Sequence, residues 1–160
     1  MASNAQEAVT QRIPHRPPFL FVDSIVEESG PDGSPPRLVA EWTVPADSAF
    51  FVGHYPGNPI LPGVILSEFV FQTGALLVGG LAGTTGTAET PDSGVPVLVR
   101  VTDARFRRRC GPGDVLRAEV SLTDQLGPAY HLKGRVTAAD GRTALTLHCV
   151  VAMVAEEGEA

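Results

Sequence analysis

At 160 residues, 43% of them hydrophobic and 19% charged, the chain has the length of one domain and a composition that excludes wholesale disorder. A net charge of −6 excludes a general nucleic-acid binder. Its two cysteines, Cys110 and Cys149, form neither a metal spacing nor a disulfide framework, so a reduced, cytoplasmic protein is expected.

In chain order, residues 1–11 are polar and expected to be disordered, and residues 1–13 lack the apolar run of a secretion signal. Pro14, Pro17 and Pro18 exclude regular structure there. Phe19 to Glu27 reads as a strand, Gly30 to Pro36 as a loop, and Arg37 to Val44 as the returning antiparallel strand. Pro62 to about Leu81 reads as the one long helix. Proline suits its first turn, and apolar residues almost all round it (Val64, Ile65, Leu66, Phe69, Val70, Phe71) predict burial. Ser67, Glu68 and Gln72 make it too polar for a membrane span. Gly79 to Gly94 is rich in glycine and threonine and reads as a mobile loop. Val95 to Phe106 is a further strand. Three more follow from strict alternation, centred on Leu116–Thr123, Tyr130–Thr137 and Leu145–Met153. The fold class is therefore α+β: an antiparallel sheet of five to six strands wrapped around one long buried helix, in a single domain over 1–160 with its core at about 13–154.

Residues 53–72 concentrate the chemistry. Three prolines and three glycines between Gly53 and Gly63 make a rigid irregular loop that presents His54 from a fixed backbone. Gly63 opens the helix, where unsatisfied N–H groups and the positive dipole end can polarise a carbonyl oxygen. Glu68 and Gln72 lie one turn apart on an apolar helix, and a desolvated carboxyl there keeps its proton. A base that titrates near neutrality, a protonated acid and an N–H donor are what elimination next to a thioester carbonyl requires. The turn at Gly53–Pro56 is crowded enough to expect an unusual backbone, a cis peptide being one form of it.

The segment Gly53–His54–Tyr55–Pro56 through Pro62–Gly63–Val64, Glu68 and Gln72 resembles the signature of the bacterial 3-hydroxyacyl-acyl carrier protein dehydratases. Pro14–His15–Arg16–Pro17–Pro18–Phe19–Leu20 resembles that family's opening motif, and Ala104–Arg105–Phe106 with Pro112–Gly113–Asp114 its downstream ones. The resemblance covers roughly residues 13–154. It implies a hot-dog fold and a dimer, in which His54 of one subunit acts as base at C2 and Glu68 of the other as acid at the 3-hydroxyl. It implies Gly63 and Val64 at the thioester oxygen, Gln72 and Tyr55 in support, and no metal or organic cofactor beyond the substrate's phosphopantetheine. Glu68 and Val64 match the branch that does not isomerise the double bond. Three departures stand out: Arg100 where glycine is usual, Arg109–Cys110–Gly111 ahead of Pro112, and a long 79–94 loop. They leave acyl length and pathway, fatty acid or polyketide, open.

The remaining candidates are blander. His15 is expected to pack in the opening turn, His131 to be solvated, and the cysteines to act as small core residues. Arg105, Arg107 and Arg109 alternate onto one face, with Phe106 and Arg108 on the other. The three form a candidate patch for docking acyl carrier protein. No nucleic acid and no membrane is expected as partner. A homodimer or higher even oligomer is expected, or a heterodimer with a paralogue. The competing functions are a non-catalytic or half-site subunit and a hot-dog thioesterase.

Overall fold

The computed structural model describes residues 4–30, 34–83 and 94–154. Along the chain these form α1 (Asn4–Thr10), β1 (Ser24–Ser29), β2 (Arg37–Thr43), the single turn α2 (Phe50–Gly53) and α3 (Gly63–Ala82). Then come β3 (Val95–Phe106), β4 (Val115–Leu126), β5 (Ala129–Ala138) and β6 (Thr143–Val154). The strands build one six-stranded sheet in the order β1-β2-β4-β5-β6-β3, antiparallel at every junction. Strand β3 follows α3 in the chain yet lies at the far edge beside β6, so the sheet curls around the helix.

Alternation decides which face is wet. Leu116, Ala118 and Val120 of β4, Leu132 and Val136 of β5, and Leu145, Leu147 and Cys149 of β6 are buried, and they share the helix side of the sheet. Leu66, Phe69, Val70, Thr73, Ala75, Leu76 and Leu77 of α3 meet them. The layers approach closely because β5 carries glycine at the crossing: a Cβ on Gly134 would lie 2.2 Å from Val70 Cγ1. The helix is long and apolar enough to cross a membrane, but most of that stretch is buried inside the protein. It ends on Gly83, whose φ of 66° closes the last turn in the left-handed region.

Three sequence expectations change. Within the stretch 1–11, expected to be disordered, Asn4–Thr10 form α1 because Val9, with Ile13 beyond it, is fully buried, while residues 1–3 lie outside the described residues. Arg12 then clamps this segment by donating to both Glu28 carboxylate oxygens and to the Leu76 carbonyl, each at 2.8 Å. The first strand begins at Ser24 rather than Phe19, because the backbone at Phe19 and Phe21 bonds to a side chain of α3 instead of to a neighbouring strand. The expected loop from Gly79 begins later, since α3 runs through Ala82; its stretch 84–93 lies outside the described residues.

Both cysteines are free and buried. Burial pushes the Cys149 thiol up to about 11, and it raises Cys110 as well, with the nearby Arg108 acting in the opposite sense.

Candidate active site

The turn α2 delivers His54, whose N–H closes it by donating to the Phe50 carbonyl at 2.8 Å. Immediately after, Tyr55 adopts φ 54°, a left-handed conformation that a bulky side chain rarely takes. The unusual backbone expected at 53–56 is therefore this residue. Among the described residues the one cis peptide is Pro17–Pro18, outside that turn. His54 Nδ1 lies 2.8 Å from the Ile60 carbonyl oxygen. A carbonyl can only accept, so Nδ1 carries a hydrogen; in the neutral ring this leaves the lone pair on Nε2, the tautomer a general base needs. Tyr55 is exposed, its ring 4.4 Å from the imidazole centroid.

The loop is held from below. Leu61 N–H donates to the Cys110 carbonyl at 2.7 Å. Asp114 Oδ2 accepts from Gly111 N–H and from Arg108 Nη1, both at 3.0 Å. A Cβ on Gly111 would lie 3.1 Å from the Pro59 carbonyl. The Pro112–Gly113–Asp114 turn thus props the backbone that carries His54, and Arg108 is part of that prop. This support was not read from the sequence, although Arg108 had been separated from its neighbours by alternation.

Gly63 is the first residue of α3, so its N–H and that of Val64 lack intrahelical acceptors and face outward with the positive helix end. Ring atoms of Phe106 would stand 3.0 Å from a Cβ on Gly63; glycine lets the end of β3 cover the helix start. Val64 itself is 76% exposed, a large apolar side chain without a cover.

Glu68 sits one and a half turns further on. Burial is the main cause that raises its carboxyl above the usual carboxylate range, opposed by a hydrogen bond from Gln72. Gln72 is fully buried and fully used. Its Oε1 accepts from Phe21 N–H at 2.8 Å. Its Nε2 donates to the Phe19 carbonyl and to Glu68 Oε1, both at 3.1 Å. A cleft of about 300 Å³ opens at Glu68, lined also by His15, Phe71, Ala75, Pro96, Val97, Leu98 and Val151. His15, expected only to pack, stands with Nε2 3.6 Å from Glu68 Oε1. His54 is not among the residues lining this cleft.

Arg105 and Arg107 share a surface cleft with Asp103, Lys133, Thr146, Leu147 and His148, on the opposite side of β3 from Phe106. The strand ends at Phe106, so alternation no longer governs Arg109, which does not line that cleft. Lys133, contributed by β5 from beyond the intervening β6, takes its place there. Among the described residues no cluster of three or more His, Cys, Asp and Glu side chains could hold a metal ion.

A sheet curled around one buried helix, with a histidine loop at the helix start and a half-buried glutamate on it, defines a hot-dog protein. The family model described as a FabA-like domain matches residues 13–150, and the chain belongs to that family. It is 39% identical over 138 residues to the 3-hydroxyacyl-[acyl-carrier-protein] dehydratase FabZ of Anaeromyxobacter sp. (strain Fw109-5), covering 86% of this chain and 82% of that one. To the protein of the same name from Alkaliphilus metalliredigens it is 43% identical over 112 residues, covering 69% and 68%. Among solved structures, the dehydratase heterocomplex ApeI:P from Xenorhabdus doucetiae superposes with a TM-score of 0.72 at 18% identity, over 92% of this chain and 91% of that one. That likeness is one of fold.

Proposed function

We propose that this protein removes water from a 3-hydroxyacyl thioester carried on acyl carrier protein, leaving a trans-2-enoyl thioester, in fatty acid or polyketide synthesis in the cytoplasm. The observation that carries the reading is the opposite preparation of two groups. His54 has its Nδ1 committed to a carbonyl and its Nε2 free, while burial keeps the Glu68 carboxyl protonated to higher pH. His54 Nε2 takes a proton from C2, and the electron pair moves toward the thioester oxygen, received by the N–H groups of Gly63 and Val64. The pair returns to form the C2=C3 bond as the C3–O bond breaks. Glu68 gives its proton to the departing hydroxyl, so that water leaves and a carboxylate remains. Proton return from His54 to Glu68 resets the site. No metal enters this sequence, and the only prosthetic arm is the carrier's phosphopantetheine. With Glu68 and Val64 in place, the double bond is left at C2.

The site is completed by a second copy, His54 of one subunit meeting Glu68 of the other. Three observations support this: His54 is absent from the lining of the Glu68 cleft, Val64 is uncovered, and β3 is an edge strand that exposes Val97, Leu98, Val99 and Val101. Such an edge invites pairing with another chain. Arg105 and Arg107, with Lys133, form the surface that meets the acidic carrier, Arg109 lying apart from them.

Mass spectrometry of a 3-hydroxyacyl carrier protein after incubation tests the reaction: loss of water is expected, whereas loss of the acyl group would mean a thioesterase. His54→Ala and Glu68→Gln should each slow dehydration by at least about 10²-fold. Mixing the two variants under subunit exchange should restore part of the activity. Full activity in either single variant would overturn the assignment, and inactivity of the wild type alone would point to a half-site subunit.

A further inference from the structure

His15 stands outside the proposed pair and beside it. From the loop ahead of β1 it reaches the cleft at Glu68, Nε2 3.6 Å from Glu68 Oε1, its ring stacked toward Phe19 at 6.4 Å between centroids. Its Nδ1 is buried and has no hydrogen-bond partner. That asymmetry selects the state of the ring. A charged imidazolium carries hydrogen on both nitrogens, and the one on Nδ1 would be a buried donor with no acceptor. The ring is therefore neutral, with its proton on Nε2. Burial first, and the neighbouring Arg16 second, hold the imidazole below its usual range in the same sense. A neutral histidine beside a protonated carboxyl is not an ion pair. What remains is a neutral Nε2 placed 3.6 Å from Oε1, the oxygen that already accepts from Gln72 Nε2 at 3.1 Å.

We propose that His15 is a positioning residue for the acid: with Gln72 it aims two N–H donors at Glu68 Oε1, so that Oε1 is the carbonyl oxygen and the deliverable proton stays on Oε2. This rests on the reading of Glu68 as the acid. The contact at 3.6 Å is longer than a hydrogen bond, and the proposed role requires it to shorten when substrate fills the cleft, as catalytic contacts commonly do. Among the described residues that line the cleft, His15 and Glu68 are the titratable ones. Phe71 and Ala75 of α3, Pro96, Val97 and Leu98 of β3, and Val151 of β6 are all apolar. The further charged or titratable groups are Arg16, next in the chain, and, in the proposed dimer, His54 of a second copy.

Two substitutions separate positioning from packing, with an N-acetylcysteamine 3-hydroxyacyl thioester as substrate. His15→Phe keeps a ring and removes the donor; His15→Gln returns an N–H near the place of Nε2. His15→Phe should lower kcat about tenfold, leave KM nearly unchanged, and move the alkaline limb of the pH profile upward. The sign follows because an N–H on Oε1 favours the carboxylate, so its loss raises the Glu68 carboxyl further. His15→Gln should recover most of the rate and return the limb. A long-range proton–nitrogen spectrum of the wild-type imidazoles should show His15 neutral and protonated on Nε2 near neutral pH, whatever the activity. Wild-type rate and limb in His15→Phe would overturn the proposal. So would an equal loss in both variants that tracks a fall in thermal midpoint, or an Nδ1–H or charged ring in the spectrum. Glu68→Gln with wild-type activity would instead remove the acid assignment itself, whereas an inactive Glu68→Gln beside an unaffected His15→Phe removes only the role of His15.

Discussion

The two ends of the site are built from different materials. At the His54 end the main chain does the holding: a carbonyl fixes Nδ1, Tyr55 bends the backbone into the left-handed region, and Asp114 ties the supporting turn. Side chains around His54 are largely exposed. At the Glu68 end side chains do the holding, and the amide of Gln72 links the carboxyl to the backbone of residues 19 and 21. Under the proposed mechanism the difference is one of purpose. A base that must be charged and discharged each cycle benefits from contact with water, so only its orientation is constrained. An acid that must keep its proton needs desolvation, and desolvated groups must be satisfied by other buried groups.

The contrast makes separate predictions for the two ends. The largest structural effect is expected at Gln72. Gln72→Leu leaves the buried Phe21 N–H without an acceptor and frees the Phe19 carbonyl, at a cost of about 2–4 kcal/mol in denaturant unfolding. The same change removes a donor from Glu68, so the alkaline limb of the pH–rate profile should rise. Asp114→Ala should cost less, about 1–3 kcal/mol, and lower kcat by loosening the His54 loop while the alkaline limb stays in place. A shift of the limb in Asp114→Ala would erase the distinction between the two ends.

A smaller effect should appear in the stability of Glu68→Gln. Folding raises the Glu68 carboxyl above its unfolded value, so folding takes up protons. That contribution is complete below about 4.3, the unfolded value, and is lost as pH climbs through the higher folded one. Glutamine does not ionise, so the variant should gain thermal stability relative to wild type as pH rises from the unfolded value through the raised folded one. An unchanged difference across that range would mean that the carboxyl is not desolvated. The smallest effect is expected on the outer face. Arg105→Glu with Arg107→Glu should raise KM for a carrier-bound substrate about three- to tenfold and weaken its salt dependence. A free pantetheine thioester should be turned over almost normally, and equal loss on both substrates would place the arginines in the support of the fold.

Much of this was legible in the sequence wherever the signal is local. The glycines and prolines of 53–63, the apolar run from Val64 and the alternation in β4, β5 and β6 are each written within a few neighbouring residues. What stayed hidden depends on distant parts of the chain. His15 meets Glu68 across 53 residues of sequence, a proximity that only the fold could create. Phe19 to Asp23 has the composition of a strand, yet Gln72 captures its backbone. α1 is short and polar enough to look frayed, and is held by Val9 and by the Arg12 clamp. The end of β3 at Phe106 is likewise a matter of tertiary context, which separates Arg109 from the arginines it alternates with.

The two buried cysteines have a practical consequence. A thiol reacts as its thiolate, and burial makes that form scarce at both Cys110 and Cys149. The native enzyme is in effect blank to maleimide chemistry near neutral pH. A cysteine introduced at Val52, 78% exposed and two residues from His54, would then be the single reactive handle. A fluorophore placed there would report on arrival of the carrier at the loop, without first stripping the protein of its own sulfur.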